Sequence, residues 1–219
     1  MPALAMVILL GFEYASDRGY IQLGTAVYGL TTLCAFGLPL ALTVFLTKGM
    51  EEKTVRTKGI KWRFLSFIVL MSVALVFMSI IINWLLSMIF SGRYVPQSTL
   101  ASSGADLWQI LLVSAVAPAV MEELFFRGAL LSGLESRGFY PAMIMSALAF
   151  ALVHGDIYNI GGPFFCGLMY GYMTYITGSV WSAVVAHLIN NSLMLFITYL
   201  IQRYSAVGLW RYFLILVFL

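Results

Sequence analysis

The side chains of this chain that could do chemistry are few, and each of them interrupts a stretch of apolar residues. They are Glu122, Glu123, Arg127, His154, His187, Asn190 and Asn191. An ionisable group inside hydrocarbon costs about 2.5–3.5 kcal/mol on insertion scales. Such residues are kept for function or because they join helices by hydrogen bonds, and for a single buried His or Asn the second explanation is the simpler one.

The two acids and the arginine lie close together on one predicted helix. Glu123 and Arg127 are four residues apart, so they share a helix face and can form an ion pair. Glu122 lies about 100° around the helix from Glu123, which makes it the acid without that partner and a candidate general base. Pro118 removes the hydrogen bond to the Ser114 carbonyl one turn earlier, which admits a kink or a water near Glu122.

His187 and Asn191 are also four residues apart, so an imidazole and an amide share one helix face. This pair could hold a metal ion or donate hydrogen bonds to a developing oxyanion. Phe150 and His154 repeat the spacing, although 16 phenylalanines make packing the simplest role for Phe150. No Ser–His or Cys–His arrangement with a third member is evident in the sequence, which favours water as the nucleophile.

The composition requires a membrane around these residues. Of 219 residues, 62% are hydrophobic and only 10% are charged, a balance that excludes a soluble globule with a charged surface. We predict an all-α, polytopic transmembrane helical bundle with about six to eight membrane helices. The predicted spans are 20–46, 64–90, 108–134, 141–154, 160–176 and 180–201, with 1–11 left unassigned and 209–219 as an incomplete span.

The charges predict the orientation of the bundle. Eight of the 21 charged residues lie between positions 48 and 63, and six of these are Lys or Arg. The positive-inside rule therefore places this loop in the cytoplasm, the loop 91–106 outside and the end of the third span in the cytoplasm again. Because two glutamates interrupt the short basic run, the sequence indicates no nucleic acid as partner.

These spans divide one membrane domain into three segments. Residues 1–107 hold N-terminal membrane helices without a motif, 108–203 hold the polar residues described above, and 204–219 form a C-terminal apolar segment. Gly167 and Gly171 make a G-x-x-x-G face that lets helix backbones approach closely. Cys34 and Cys166 lie in apolar stretches, which favours small core side chains over a disulfide or a metal pair.

Three strings of residues resemble the motifs of one protein family. The run 122–127, Glu-Glu-Leu-Phe-Phe-Arg, resembles E-E-x-x-x-R, residues 150–154 resemble F-x-x-x-H, and residues 187–191 resemble H-x-x-x-N. All three occur in order, each in an apolar helix. In this the chain is similar to the CPBP intramembrane proteases, which include the CAAX prenyl endopeptidases and the bacterial Abi and bacteriocin-processing proteins. The resemblance covers about 108–203 and implies that this segment is a catalytic core.

The resemblance implies an intramembrane endopeptidase. The implied catalytic residues are Glu122, His154, His187 and Asn191, and the supporting ones are Glu123, Arg127 and Phe150. Glu122 and His154 would activate a water, while His187 and Asn191 would stabilise the tetrahedral oxyanion. Two mechanisms stay open at this stage. Glu122, His154 and His187 would make a His₂Glu zinc set with one open position, yet the H-E-x-x-H helix of soluble zinc proteases is missing, so a metal-free glutamate mechanism is the alternative.

The resemblance also implies a peptide or protein substrate in or at the lipid bilayer. We expect a prokaryotic cell membrane, and the charged loop predicts that the active site faces the cytoplasm. A prenylated C-a-a-X tail, a leader peptide, a quorum-sensing precursor and a membrane regulator are all compatible with the sequence. A catalytically idle scaffold of the same fold is the main rival, although it would be free to lose Glu122 or a histidine. A small transporter is the second rival, and it predicts internal repeats that the sequence does not show.

Overall fold

The structure, a computed structural model, describes residues 2–18, 25–46, 55–90 and 107–204, and these ranges contain helices and turns but no strand. The helices are α1 (Pro2–Asp17), α2 (Thr25–Thr32), α3 (Leu38–Leu46), α4 (Leu65–Ile89), α5 (Leu107–Leu111), α6 (Ala117–Glu123), α7 (Ser132–Leu134), α8 (Phe139–Leu152), α9 (Gly161–Thr177) and α10 (Val180–Tyr204). Three π-helical segments connect some of them, namely Leu33–Gly37, Leu112–Val116 and Leu124–Leu131. Short 3₁₀ turns occur at Trp62–Phe64, Glu135–Arg137 and Ile157–Asn159.

Three helices in the described ranges are long and apolar enough to cross a membrane, and they are Trp62–Ile89, Trp108–Arg137 and Val180–Leu200. Shorter apolar helices, Gly29–Phe45 and Phe139–Leu152 among them, accompany these three. The predicted all-α membrane bundle is confirmed, and the protein is an integral membrane protein. The segment 1–11, which the sequence left unassigned, lies mostly in α1, whereas 209–219 lies outside the described residues. The division at 107 and 203 stays a prediction.

The third predicted span is interrupted rather than regular. π-helical turns lie on both sides of α6, the short helix that carries Glu122 and Glu123. Pro118 stands at the beginning of α6, where its missing N–H breaks the regular hydrogen-bond ladder. π-turns of this kind are frequent at functional sites because they reorient the side chains around them.

Helices α8 and α9 pack closely at the predicted G-x-x-x-G face. A Cβ atom at Gly167 would lie 3.0 Å from the Ala147 Cα, and one at Gly171 would lie 3.0 Å from the Met143 Cγ. Both distances are shorter than side chains normally tolerate, so glycine permits the approach. The predicted close contact is confirmed, and it brings the Phe150 ring of α8 within 6.4 Å of the Tyr170 ring of α9.

Asn83, a buried side chain of α4, fixes the beginning of α9. Its Nδ2 donates to Asn159 Oδ1 at 2.7 Å, and its Oδ1 accepts from the Gly162 N–H at 2.8 Å. The second bond satisfies one of the N–H groups that every helix start leaves free. A polar residue inside a membrane helix here joins two helices, as expected for most such residues.

The basic segment before α4 contacts two other parts of the chain. Arg56 Nη2 donates to both Glu135 carboxylate oxygens, at 2.7 and 2.9 Å, and the Arg56 carbonyl accepts from the Val180 N–H at 2.8 Å. Trp181 Nε1 donates to the Thr57 carbonyl at 2.9 Å. The end of the third span and the beginning of α10 therefore lie at the same end of the bundle as this basic segment.

Candidate active site

Glu123 lies at the centre of the polar cluster and connects two helices. Its Oε1 accepts from Arg127 Nη1 at 2.8 Å and from His187 Nδ1 at 2.9 Å. The Glu123 and Arg127 side chains are 0% exposed. The ion pair predicted from the four-residue spacing is therefore present. The bond to His187 was not predicted, because the two residues are 64 positions apart in the sequence.

Arg127 is fully buried, and the groups around it stabilise its positive charge. Besides the ion pair, its Nη2 donates to the Gly167 carbonyl at 3.1 Å. Its Cζ lies 4.4 Å from the centroid of the Phe150 ring and 5.4 Å from that of Tyr170, distances at which ring faces attract a cation. A buried guanidinium is tolerated only with such partners, so Arg127 depends on Glu123, α8 and α9 together.

Both histidines use Nδ1 for a hydrogen bond inside the protein. His154 Nδ1 is 2.8 Å from the Phe150 carbonyl, and His187 Nδ1 is 2.9 Å from the Glu123 carboxylate. A carbonyl and a carboxylate can only accept, so each Nδ1 donates. In the neutral form each ring then keeps a free lone pair on Nε2, which can accept a proton or bind an electrophile.

Phe150 stands between the two imidazoles. Its ring meets the His154 ring edge to face, with ring centroids 5.0 Å apart and ring planes at 70°. It meets the His187 ring in the same way, with centroids 5.7 Å apart and planes at 86°. The two imidazole centroids are therefore no further apart than the sum of these two distances. The sequence suggested packing as the simplest role of Phe150, and here that packing holds both histidines beside one ring.

The predicted catalytic residues lie on three helical segments and differ in exposure. Glu122, His154 and Asn191 are partly exposed, whereas His187 is buried. Glu122 precedes Glu123, which binds His187. His154 contacts the same Phe150 ring as His187, and Asn191 follows His187 by one turn of α10. No described residue forms a hydrogen bond with the Glu122 carboxylate. The partly exposed members are thus the ones that a water or a substrate could contact.

Asn191 binds the carbonyl that Pro118 leaves free. Its Nδ2 donates to the Ser114 carbonyl at 3.4 Å, so the missing helical donor is replaced by an amide from α10. The neighbouring Asn190 has a different role, since its Nδ2 donates to Cys166 Sγ at 3.5 Å. An amide nitrogen carries two hydrogens, so Asn191 retains one donor that could serve an oxyanion.

Tyr170 is a site residue that the sequence did not single out. Its ring stacks on the His187 ring, with centroids 5.3 Å apart and planes inclined by 23°. The chain contains 12 tyrosines, and nothing in the spacing around Tyr170 marks it. The contact depends on how α9 packs against α10, which only a three-dimensional structure reveals.

The structure shows one feature that suits the predicted zinc ligands and one that does not. The Nδ1 bonds would suit metal-binding histidines, which present Nε2 in the same way. Among the described residues, however, no group of three His, Cys, Asp or Glu side chains is placed to hold an ion together. We therefore derive no step through a metal, and zinc binding stays a prediction.

Comparisons with known proteins bear on the same segment. Residues 104–193 match the family described as type II CAAX prenyl endopeptidase, Rce1-like. The chain is also 26% identical over 84 residues to the Bacillus subtilis (strain 168) protein described as "Putative membrane peptidase YdiL". That alignment covers 38% of this chain and 34% of the relative, so the chain spans about a third of the relative's length. No solved structure matches the chain. The resemblance to the CPBP family is confirmed for this segment.

Proposed function

We propose that this protein, whose residues 104–193 are similar to the CAAX prenyl endopeptidases, is a membrane endopeptidase that hydrolyses a peptide bond with an activated water. The observation that carries the proposal is the polar cluster in which Glu123 binds His187 and the Phe150 ring contacts both His187 and His154. Glu122 precedes Glu123 in this cluster, and Asn191 follows His187 by one helical turn. The catalytic core in this proposal is the segment 108–203.

The proposed reaction begins with a water between Glu122 and His154. The Glu122 carboxylate has no hydrogen bond to a described residue and is partly exposed, so it can accept the proton of the attacking water. The free Nε2 of His154 can accept a hydrogen bond from the second hydrogen of that water, and the proton taken up by Glu122 can pass to the leaving amine. Asn191, through its second amide hydrogen, and His187, when both of its ring nitrogens carry a proton, would donate to the oxyanion that forms at the scissile carbonyl.

The proposed substrate is a membrane-associated or lipidated peptide or protein. A site inside an apolar bundle favours a substrate that is already concentrated at the bilayer. The test uses purified protein in nanodiscs with one C-a-a-X peptide in prenylated and unprenylated form, and with a hydrophobic leader peptide. Mass spectrometry of the products identifies the new peptide ends. Cleavage of only the prenylated form would assign a prenyl endopeptidase, and cleavage of only the leader peptide would assign a processing protease.

We propose that the site opens to the cytoplasm of a prokaryotic cell. The contact of Arg56 with Glu135 supports this, because it joins the basic segment to the end of the span that carries Glu122. His187 follows Val180 by seven residues, about 10 Å of helix from that end.

We expect the protein to cleave a substrate only when that substrate is on the cytoplasmic side of the membrane. Inside-out membrane vesicles should cleave an added membrane-impermeant peptide, whereas right-side-out vesicles from the same cells should not. A cysteine introduced at exposed Ser136 and labelled with an impermeant reagent controls the orientation of each preparation. Cleavage by right-side-out vesicles alone would contradict the proposed facing.

Asn191→Ala is expected to lower kcat by about 10²–10³-fold, since it removes an oxyanion donor, and to leave KM nearly unchanged. The adjacent Asn190→Ala is the matched control, because that amide binds Cys166 and not the Ser114 carbonyl. It should affect kcat far less. Steady-state kinetics on folded material measures both, and equal losses of kcat in the two variants would count against the oxyanion role.

A further inference from the structure

Tyr170 is a buried residue of α9 whose ring lies almost flat on the imidazole of His187. It is 1% exposed, and its ring centroid is 5.3 Å from that of His187 with planes inclined by 23°. Phe150 meets the same imidazole edge to face at 5.7 Å. The hydrogen bond from Nδ1 to Glu123 fixes one atom of the ring, and the two aromatic contacts fix the plane.

The Tyr170 ring is itself packed in a buried cluster. This cluster contains Cys166, one turn earlier on α9, and Ile68 and Leu75 of α4. Cys166 Sγ lies 3.2 Å from Ser79 Oγ of α4 and accepts from Asn190 Nδ2 of α10 at 3.5 Å. Side chains of α4, α9 and α10 therefore pack around the tyrosine whose ring stacks on His187.

An imidazole held by one hydrogen bond at Nδ1 can still tilt about its Cβ–Cγ bond as far as that hydrogen bond allows, which would move Nε2. Displacement of a reacting group by about 1 Å can cost on the order of 10² in rate. We infer that Tyr170 is a positioning residue, whose ring holds the His187 imidazole in the plane that gives Nε2 a single direction in the site. This inference rests on the proposed function, and it adds a residue that the family motifs do not contain.

The test compares Tyr170→Leu, which removes the ring, with Tyr170→Phe, which removes only the hydroxyl. Tyr170→Leu should lower kcat on the order of 10²-fold with little change in KM, and Tyr170→Phe should retain most of the wild-type kcat. Phe125→Leu is the matched control, because Phe125 is also 1% exposed and packs on Phe126 and Phe36 rather than on a histidine. It should lower thermal stability without a comparable loss of kcat.

A second measurement does not depend on cleavage. The chain has 2 histidines, so NMR of histidine-labelled protein gives two ring signals that mutation of His154 assigns. The His187 signal should show the ring-current shift of a stacked aromatic in the wild type and in Tyr170→Phe, and should lose it in Tyr170→Leu. A wild-type protein that cleaves nothing would remove the proposed function, whereas this spectrum would still report on the stack.

Two results would overturn the inference. One is a kcat in Tyr170→Leu no lower than in Phe125→Leu. The other is a loss of kcat in Tyr170→Phe of the order of 10²-fold, which would assign the effect to the hydroxyl rather than to the ring. The second criterion applies even if Tyr170→Leu does not fold.

Discussion

Glu122→Gln is expected to lower the rate of peptide cleavage by roughly 10²–10⁴-fold, the loss typical of a missing general base. Glutamine keeps the size of the side chain but cannot accept the proton of the attacking water. Because no described residue forms a hydrogen bond with the Glu122 carboxylate, the exchange should leave the folded yield and the melting temperature close to those of the wild type. Cleavage rates at equal amounts of folded protein, with thermal melts of both proteins, measure this.

Glu135→Gln is the matched control for this experiment. Glu135 is partly exposed and pairs with Arg56 at the end of the third span, away from the polar cluster. Its replacement should leave cleavage near the wild-type rate. A Glu122→Gln protein that cleaves as fast as the wild type would exclude the proposed mechanism.

Glu123→Gln is expected to act on stability rather than on the chemical step. It leaves the fully buried Arg127 without its counter-charge, and breaking a buried ion pair in this way costs about 3–5 kcal/mol. The amide oxygen can still accept from His187 Nδ1, but it carries no charge. We expect a lower melting temperature and a lower folded yield, with activity lost in proportion to folded protein.

A double variant separates charge from shape at this position. Replacing both partners, Glu123→Gln with Arg127→Met, removes the unpaired charge and should recover much of the stability lost in the single variant. Thermal melts in the same detergent measure both. A single variant as stable as the wild type, or a double variant less stable than the single one, would contradict the role assigned to the pair.

The features that depend on local sequence could be predicted. Hydropathy placed α4, α9 and α10 within a few residues of their observed bounds, because a membrane helix must be apolar along its whole length. The Glu123–Arg127 pair followed from the spacing of a helix. The close approach at Gly167 followed from the small-residue pattern.

The features that depend on packing between distant segments could not be predicted from the sequence. Pro118 indicated a free carbonyl at Ser114, but its partner, Asn191, is 77 positions away. The bond between Glu123 and His187 and the stack of Tyr170 on His187 likewise join different helices. The π-turns around α6 also escaped prediction, since the hydropathy of a span is the same whether its hydrogen bonds are α-helical or π-helical.

The most direct test of the central claim is peptide hydrolysis in H₂¹⁸O by wild-type protein and Glu122→Gln, prepared in parallel in nanodiscs and analysed by mass spectrometry. A membrane endopeptidase that uses water at this site should yield a new C-terminal carboxylate carrying ¹⁸O with the wild type, and almost none with Glu122→Gln. Equal product from both preparations would contradict the account. So would the absence of any new C-terminus with the wild type while a protein partner co-purifies with both forms, which would assign the chain to a catalytically idle scaffold.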